Sequence, residues 1–569
     1  MANYSKAHVC QCLSRLSTVR RSSTVMIMGE RRKTGIEFVE GVLGLAHGLI
    51  QLGLKPGDVV AISALNSDLY LEWLLAVAYV GGITAPFNYR WSLEEARAAL
   101  QVAKPTILVH DATGNFWKFE SYADSVPSLR WQVLMNTPCE VHSTNIRLTT
   151  EQLKRSCQRS LTTDYLWAPK EAAIICFTSG IYALPFHMWT TGRPKGVTLS
   201  HSALVVQSLA KIAIVGYGED DVYLHTAPLC HIGGISSALA LLMAGGCHIL
   251  LPKFEAKLAV ESIDQHSVTS LITVPAMMTD LISFYRTEHI SVGSKSVKKV
   301  LNGAGGLSSG LIKNAIEIFP RAKLLSAYGT TEACSSLTFM TLYDPARESC
   351  IQHSYANSSN LAHKPDGICV GKPAPHIEIR IAGDDSSCIG RILTRGPHLM
   401  LGYWGQMPSN NSSPTDECWL DTGDIGHIDD CGNIWLVGRL KGRIKSGGEN
   451  VYPEEVEAVL LQHPGISASV VIGLPDSRLT EMVVACIRLK DNWQWTDSSS
   501  NHPVNKNEHC LSSSVLQNFC RAKDLTAFKI PKKFVVWKNQ FPMTTTGKLR
   551  RDQVRAQLMS YRQLPPSRL

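Results

Sequence analysis

Hydroxyls, glycines and a lysine lie on both sides of a short apolar segment in the first third of the chain. Residues 172–177 form an apolar run that predicts a buried strand, and Thr178 follows it directly. Glycines let backbone N–H groups approach phosphate oxygens, hydroxyls donate hydrogen bonds to them, and a lysine adds positive charge. The sequence therefore predicts a phosphate-binding loop at the end of a strand. Its residues are Thr178, Ser179, Gly180, Thr190, Thr191, Gly192 and Lys195.

The nine residues 181–189, IYALPFHMW, interrupt this loop. They are apolar and aromatic, and Pro185 removes one N–H from a loop whose function is to donate N–H groups. An extended segment of this length spans up to about 30 Å, so the hydroxyls on its two sides need not stay together. We expect the fold to tolerate the insert and the phosphate site to be impaired. The hypothesis for its origin is a splicing variant or a gene-prediction error that retains intron sequence in frame.

Five further motifs follow in chain order, each with a physical role at a nucleotide. Residues 302–306, NGAGG, permit a flat base or acyl group to lie against the backbone. Residues 328–332, YGTTE, add an aromatic face, two hydroxyls and a carboxylate that can hold Mg²⁺ beside phosphate oxygens. Asp424 can accept hydrogen bonds from both ribose hydroxyls, and Arg439 can bond ribose or phosphate. Lys548 is a lone lysine in a turn rich in hydroxyls and glycine.

Each motif alone also has a purely structural explanation. Clusters of glycine, serine and threonine usually form turns, and a lysine before a helix is usually solvated. A lone histidine such as His231 is more often structural than functional. The occurrence of all the motifs in one order along the chain favours nucleotide chemistry.

The joined segments TSG and TTGRPKG match the phosphate loop of the acyl-adenylate-forming enzymes, and the chain resembles that superfamily over residues 34–558. Passages such as SAYGTTEACSSLTFMTL and KSGGENVYPEEVEAVL carry a narrower resemblance, to one group of acid–CoA ligases within that superfamily. It implies that a carboxylic acid reacts with ATP to form an acyl-adenylate, and that CoA then displaces AMP. The implied activity is that of an ATP-dependent acid–CoA ligase, with ATP, Mg²⁺ and CoA as its cofactor and co-substrates.

The resemblance also implies roles for individual residues. Lys548 assists adenylation, Glu332 holds Mg²⁺, and His231 lines the acyl pocket. The residues that bind ATP or CoA are then the phosphate loop above together with Gly303, Ala304, Gly305, Tyr328, Gly329, Thr330, Thr331, Asp424, Arg439, Lys445, Gly447 and Gly448. The last three belong to the face that forms the thioester.

The residues alone do not identify the carboxylic acid that is the substrate. Another aromatic or a fatty acid fits the same scaffold, and a carrier-protein adenylation domain is disfavoured because little chain follows Lys548. A third alternative is a folded chain that the insert makes inactive. An acid with a second, aromatic carboxylate needs additional donors. The candidates are Ser236, Ser237, Ser335 and Ser336.

Strand-like and helical patterns alternate between residues 34 and 250, which predicts an α/β fold with parallel sheets. The predicted organisation is a large N-terminal adenylation domain with mixed and parallel sheets, residues 1–438. A small α+β lid domain, residues 439–562, follows and rotates about a hinge at Lys441, as the resemblance implies. Residues 563–569 are a tail.

Composition narrows the class of protein. With 44% hydrophobic and 18% charged residues, the chain has the composition of a soluble globular enzyme. The net charge of +8 (56 basic minus 48 acidic residues) is spread without long basic runs, so nucleic-acid binding is not expected. Uninterrupted apolar runs of 18 residues are absent, so no membrane span is expected. The 16 cysteines include no CxxC pair, which indicates reduced, mostly buried thiols.

Both ends of the sequence resemble targeting signals. Ser567, Arg568 and Leu569 form a variant of the peroxisomal SKL signal and predict binding to the peroxisomal import receptor. The first 28 residues contain basic residues and serine but no acid, as transit peptides do. Residues 9–19 fit a first helix of the fold equally well. The predicted location is the peroxisome, with chloroplast import as an open alternative.

Overall fold

The computed structural model places most of the chain. It describes residues 7–91, 93–111, 126–135, 147–154, 165–178, 195–288, 295–347, 367–383, 388–406, 419–439, 442, 444–446, 449–476, 479–496, 509–523, 525, 527–543 and 549–561. The chain forms two compact units. The first comprises Met1–Ala362, Val370–Ile379 and Thr394–Leu420, and the second comprises His363–Cys369, Arg380–Leu393 and Asp421–Leu569.

Helices and strands alternate through much of the described chain. The helices are α1 (Cys12–Thr18), α2 (Gly35–Gln51), α3 (Asp68–Tyr79), α4 (Leu93–Ala103), α5 (Thr150–Lys154), α6 (His201–Val215), α7 (Ile232–Ala244), α8 (Ala256–His266), α9 (Pro275–Thr287), α10 (Ser309–Ile318), α11 (Pro453–Leu460), α12 (Ser513–Ala522) and α13 (Arg551–Tyr561). The strands are β1 (Thr24–Met28), β2 (Arg31–Thr34), β3 (Val59–Ser63), β4 (Ile83–Pro86), β5 (Ile107–Asp111), β6 (Trp131–Met135), β7 (Arg147–Thr149), β8 (Ala172–Thr178), β9 (Lys195–Ser200), β10 (Val222–His225), β11 (Cys247–Leu250), β12 (Ser270–Thr273), β13 (Lys299–Asn302), β14 (Lys323–Tyr328), β15 (Thr338–Tyr343), β16 (Ile368–Pro373), β17 (Glu378–Ala382), β18 (Gly390–Arg395), β19 (Gly402–Tyr403), β20 (Leu420–Ile428), β21 (Ile434–Arg439), β22 (Ile444–Ser446), β23 (Glu449–Val451), β24 (Ile466–Asp476), β25 (Thr480–Leu489), β26 (Trp493–Trp495), β27 (His509–Leu511) and β28 (Lys533–Val536).

The first unit contains two mixed sheets, so the predicted α/β fold is confirmed. In one sheet, β14, β13, β12, β10, β11 and β1 are parallel neighbours in that order, with β15 and β2 antiparallel at the two sides. In the other, β8, β4, β3, β5, β6 and β7 are parallel, and β9 and β19 extend it in antiparallel pairing. β3 is buried throughout and β8 almost throughout, as expected for parallel strands covered on both faces.

The N-terminal segment belongs to the core of the first unit. A 3₁₀ turn, Val9–Gln11, leads into α1, and Cys10, Leu13 and Leu16 are fully buried. The interpretation of this segment as a first helix of the fold is confirmed. Residues 1–6, the remainder of the possible transit peptide, lie outside the described residues.

The second unit is a small α+β structure. β23, β22, β25 and β24 are antiparallel neighbours in that order, and β28 pairs with β25 in parallel. α11 begins with Pro453 and has Glu454 and Glu455 in its first turn, as the sequence predicts, because proline lacks the N–H that this position leaves unbonded. The proposed domain boundary at residue 439 stays a prediction.

The described residues include no helix long and apolar enough to cross a membrane. The cysteines among them are free thiols, and most are buried.

Four of the histidines that are buried in the first unit form two close pairs. The rings of His8 and His201 stack with centroids 3.8 Å apart, and Nε2 of His225 lies 2.8 Å from Nδ1 of His248. Burial lowers the pKa of His8 to about 4, lowers the pKa values of His201 and His225 to about 3, and holds the pKa of His248 well below its usual value. All four side chains are therefore neutral in the folded protein at neutral pH.

Acidification below pH 6.5 should destabilise the protein steeply. The unfolded chain takes up a proton on each histidine near pH 6.5, whereas the folded chain does not, so the free energy of unfolding falls as the pH falls. Each histidine should contribute about 1.4 kcal/mol per pH unit between about pH 6 and pH 4. The measurement is the melting temperature from pH 7.5 to 5. Burial also lowers the pKa of His398 to about 4, so five histidines contribute and His201→Gln should reduce the slope by about a fifth. A melting temperature that is constant over this range would contradict the assignment of neutral histidines.

Candidate active site

The carboxyl ends of parallel strands meet at one edge of the first sheet. Asn302 at the end of β13 is paired with Ser326 of β14, and the N–H of Gly303 donates to the carbonyl of Thr273 at the end of β12 (2.9 Å). The amide nitrogen of Asn302 donates to the carbonyl of Gly305 (2.6 Å). This edge is where ligands bind in open α/β sheets. The structure thus brings the predicted motif of Gly303, Ala304 and Gly305 beside the end of β14, where Tyr328 lies.

A tight loop follows Tyr328. A Cβ on Gly329 would lie 1.7 Å from the carbonyl oxygen of Ser335, so only glycine fits there. Cys334 (φ 54°) and Ser335 (φ 102°) both adopt positive φ, which is costly for side-chain-bearing residues and occurs mainly where function requires it. The loop holds the predicted residues Thr330, Thr331 and Glu332 in half-buried positions.

The predicted phosphate loop joins two strands of a hairpin. Thr178 at the end of β8 is paired with Lys195 at the start of β9. A Cβ on Gly196 would lie 2.7 Å from Cγ2 of Ile175, so this glycine permits the close pairing of the two strands. The loop between the strands, which contains the insert 181–189, lies outside the described residues. So do five of its predicted phosphate ligands, Ser179, Gly180, Thr190, Thr191 and Gly192.

Tyr403 connects the phosphate hairpin to Glu332, and the sequence did not predict it. β19 pairs with β9, so that Tyr403 lies opposite Val197. The Tyr403 hydroxyl donates to Oε1 of Glu332 (3.1 Å), and Nζ of Lys195 lies 5.0 Å from the centre of the Tyr403 ring. The N–H of Met400 also donates to the Glu332 carbonyl (2.9 Å). The only signal in the sequence is a pair of aromatic residues, Tyr403 and Trp404, in the turn-like segment GYWG.

Replacing Tyr403 with Phe should weaken ATP binding about 5- to 10-fold in the presence of Mg²⁺, because a hydrogen bond to a charged group is lost. The ring remains, so its contact with Lys195 should persist. Calorimetric titration with ATP, with and without Mg²⁺, would measure the effect, which should be smaller without the ion. Tyr285→Phe, which removes a hydroxyl from α9, is the matched control. Equal ATP affinities for both variants would contradict the role of the hydroxyl.

His231 precedes α7 as its N-terminal cap residue and is half-buried. Its carbonyl accepts from the N–H groups of Gly234 and Ile235, and its own N–H donates to Pro228. A Cβ on Gly234 would lie 2.3 Å from the carbonyl oxygen of Pro228, so the turn before α7 is compact. His231 therefore has a fixed backbone position at the end of β10.

The next turn of α7 contributes a buried polar cluster. Nζ of Lys211, from α6, donates to the hydroxyls of Ser236 (2.6 Å), Ser237 (3.1 Å) and Ser335 (3.4 Å). Three of the four serines predicted as carboxylate donors therefore meet at one lysine, and the fourth, Ser336, has its hydroxyl 3.5 Å from that of Ser335. The sequence signal for Lys211 is that it is the only Lys, Arg, Asp or Glu in the largely apolar helix α6.

In the second unit, Asp424 of β20 is paired with Arg439 of β21. Nε of Arg439 lies 3.1 Å from Oδ1 of Asp424, which is almost fully buried. The two predicted ribose-binding residues are thus adjacent. Lys445 lies in β22, with only its backbone described. Gly447, Gly448 and Lys548 lie outside the described residues.

Residues 15–404 match the family described as AMP-binding enzyme, and residues 455–548 match the AMP-binding enzyme C-terminal domain. The chain belongs to the AMP-binding enzyme family. The resemblance to acyl-adenylate-forming enzymes is therefore confirmed.

Relatives of this AMP-binding enzyme include several ligases. The chain is 56% identical to the chloroplastic/peroxisomal 2-succinylbenzoate–CoA ligase of Arabidopsis thaliana, with all of both chains covered. It is 30% identical to the indoleacetate–CoA ligase of Aromatoleum aromaticum, covering 92% of this chain and 95% of that one. The structure of o-succinylbenzoate CoA synthetase from Bacillus subtilis with its acyl-adenylate intermediate superimposes with a TM-score of 0.73 at 24% identity, covering 95% and 97% of the two chains. That likeness supports the fold.

Proposed function

We propose that this AMP-binding enzyme is an ATP-dependent acid–CoA ligase that converts 2-succinylbenzoate to 2-succinylbenzoyl-CoA through an acyl-adenylate. The observation that supports this most is the 56% identity to the Arabidopsis ligase over the whole of both chains. Passages such as EWLLAVAYVGG and NYRWSLEEA also resemble plant 2-succinylbenzoate–CoA ligases. The resemblance implies a role in phylloquinone biosynthesis.

In the first step, a carboxylate oxygen attacks the α-phosphorus of ATP, and the bond to the departing pyrophosphate breaks. Negative charge spreads over the phosphate oxygens as this happens, so fixed positive charge and N–H donors lower the barrier. We assign this role to Lys195, to the other residues of the phosphate loop, and to Lys548. Gly303, Ala304, Gly305 and Tyr328 at the sheet edge, with Gly329, Thr330 and Thr331, then contact the adenine, the acyl group and the phosphates.

The residues present fit a single Mg²⁺ ion. Glu332 offers one carboxylate beside the hydroxyls of Thr330 and Thr331, and magnesium sites on nucleotides need only one or two protein carboxylates because phosphates supply other oxygens. No cluster of three or more metal-binding side chains occurs among the described residues, which suits a nucleotide-borne ion better than a protein cage. When bound, the ion would neutralise phosphate charge. Tyr403 orients the Glu332 carboxylate through its hydroxyl.

In the second step, the CoA thiol attacks the acyl carbon and AMP leaves with the electron pair of the broken C–O bond. We propose that Asp424 and Arg439 hold the ribose, and that Lys445, Gly447 and Gly448 form the thioester-forming face. Residues 439–562 would act as the lid that withdraws Lys548 between the steps, a rotation of the hinge type about Lys441. His231 would line the acyl pocket.

A substrate panel tests the proposed function. AMP release should be measured with CoA and 2-succinylbenzoate, indoleacetate, a hydroxycinnamate and a long-chain fatty acid. The highest kcat/KM should be for 2-succinylbenzoate. Faster turnover of a fatty acid would favour the alternative ligase, and absence of AMP release with every acid, in the chain with and without residues 181–189, would contradict the proposal.

We further propose that the protein is imported into peroxisomes through Ser567, Arg568 and Leu569, since the Arabidopsis relative is named as chloroplastic/peroxisomal. These three residues lie outside the described part of the chain. A fluorescent fusion that keeps this tripeptide should gather in peroxisomes, and one without it should disperse. A diffuse signal with the tripeptide intact would refute this location, and a fusion of the first 28 residues would test chloroplast import.

A further inference from the structure

Lys211 is a buried cation in an apolar helix. It is the only Lys, Arg, Asp or Glu in α6, and it is 1% exposed. Lysine is almost never fully buried unless it is paired, because transfer of an ammonium group from water is costly. Burial lowers the pKa of Lys211 to about 7. Because burial of this ammonium group costs free energy, we infer that Lys211 has a function.

The partners of Lys211 within the described residues are neutral. Its Nζ donates to three serine hydroxyls, and no carboxylate in the described part of the chain forms an ion pair with it. The neighbouring thiol of Cys334 is also neutral, because burial raises its pKa to about 12. Phenols near the cluster, Tyr217 and Tyr223, have pKa values raised by burial as well. When Lys211 is protonated, the described residues of the site therefore hold a positive charge without a compensating anion, and a bound anion would favour that protonated form.

The serine hydroxyls are arranged to donate as well as to accept. Each accepts a proton of the ammonium group and retains its own O–H as a donor. Ser236 has only a long contact to the carbonyl of Gly233 (3.4 Å), and the hydroxyls of Ser335 and Ser336 are 3.5 Å apart. An ammonium group with convergent hydroxyl donors is complementary to a carboxylate.

The cluster lies between two parts of the proposed active site. Ser236 and Ser237 are in the first turns of α7, which His231 caps, and Ser335 lies in the loop between β14 and β15. Ser335 is half-buried, whereas the two serines of α7 are fully buried. Ser335 has a positive φ of 102°, and it is the one residue bonded to Nζ of Lys211 in this cluster that is partly exposed.

We propose that Lys211, with Ser236, Ser237 and Ser335, binds the carboxylate of the substrate that is not activated, and thereby selects acids with a second carboxylate. This inference rests on the proposed ligase function. Ser335 makes the longest of the three contacts, so its hydroxyl is the one that an incoming carboxylate displaces from the ammonium group. The activated carboxylate then remains free to react at the phosphate edge.

The test compares two acids that differ only in this carboxylate, 2-succinylbenzoate and 4-oxo-4-phenylbutanoate. A site built to bind a polar group rejects an analogue that lacks it, because its own buried polar groups are then left unpaired. The unmodified protein should prefer the diacid at least about 10²-fold in kcat/KM. Lys211→Met should reduce kcat/KM for the diacid about 10²-fold, chiefly through KM, and leave that for the monoacid within about threefold. Ser335→Ala should reduce kcat/KM for the diacid about 10-fold.

The melting temperature of Lys211→Met shows whether the variant still folds. Methionine matches the lysine side chain in length without its charge, so Lys211→Met should melt at least as high as the unmodified protein. Lys257→Met, at an exposed position of α8, should leave both acids unaffected. All proteins are assayed with and without residues 181–189. An unchanged preference in Lys211→Met, or equal use of the two acids by the unmodified protein, overturns this inference and leaves acid–CoA ligation intact. Turnover of neither acid by any protein contradicts the proposed function and this inference together.

Discussion

Deleting residues 181–189 should raise the rate of acyl-adenylate formation by at least about 10²-fold, since misplacement of reacting groups by about 1 Å has a cost of this size. The hairpin of β8 and β9 fixes Thr178 opposite Lys195. Between them lie residues 179–194, which are 16 residues, and the deletion of nine leaves seven. The shortened loop restores the sequence TSGTTGRPKG and brings the two sets of hydroxyls together. The measurement is pyrophosphate release with 2-succinylbenzoate and ATP.

The melting temperature distinguishes a change in the rate of adenylation from a change in folding. Lengthening a surface loop costs little free energy, so the melting temperature should differ by only a few degrees between the two proteins. A control that replaces residues 181–189 with nine glycine and serine residues tests whether length or sequence is responsible. It should remain slow, because it also separates Gly180 from Thr190. If the chain with its own insert turns over as fast as the deletion variant, the insert is a benign loop.

In the deletion variant, Lys548→Ala should slow adenylation by about 10²–10³-fold and leave thioester formation from pre-made acyl-adenylate intact. Loss of one charge from a preorganised site has a cost of this size when the charge stabilises only the transition state. The first half-reaction is measured by pyrophosphate release and the second by consumption of CoA thiol. The two rates separate a role in one step from general damage.

Lys538→Ala is the control variant for Lys548→Ala. Lys538 is an exposed lysine in the same unit, shortly after β28, and its replacement should alter neither half-reaction. Equal losses in both half-reactions for Lys548→Ala would contradict its assignment to adenylation.

Local sequence predicted those parts of the fold in which neighbouring residues decide the outcome. The apolar run that became β8 and the proline that begins α11 are of this kind. Pairing between distant segments could not be predicted in this way. The contact of Tyr403 with Glu332, for example, depends on the register of β19 against β9. No local pattern encodes that register.

The partners of Lys211 in α6 could not be predicted from local sequence either. A single charge in an apolar helix is visible in the sequence, but its partners come from α7 and from the loop after β14. The serines were predictable as hydroxyl donors, whereas their convergence on one ammonium group depends on helix packing. The strained conformation of Ser335 is likewise a property of the folded loop, since serine has no intrinsic preference for positive φ.

The position of Tyr403 has a thermodynamic consequence. One side chain contacts both the lysine of the phosphate hairpin and the carboxylate proposed to hold Mg²⁺. We therefore expect ligands at the two ends to influence each other. Such an influence is reciprocal: the factor by which pyrophosphate raises the affinity for Mg²⁺ equals the factor by which Mg²⁺ raises the affinity for pyrophosphate. We then expect a disturbance of the hairpin loop, such as the nine-residue insert, to weaken metal binding at the proposed ligand Glu332 without altering that ligand itself.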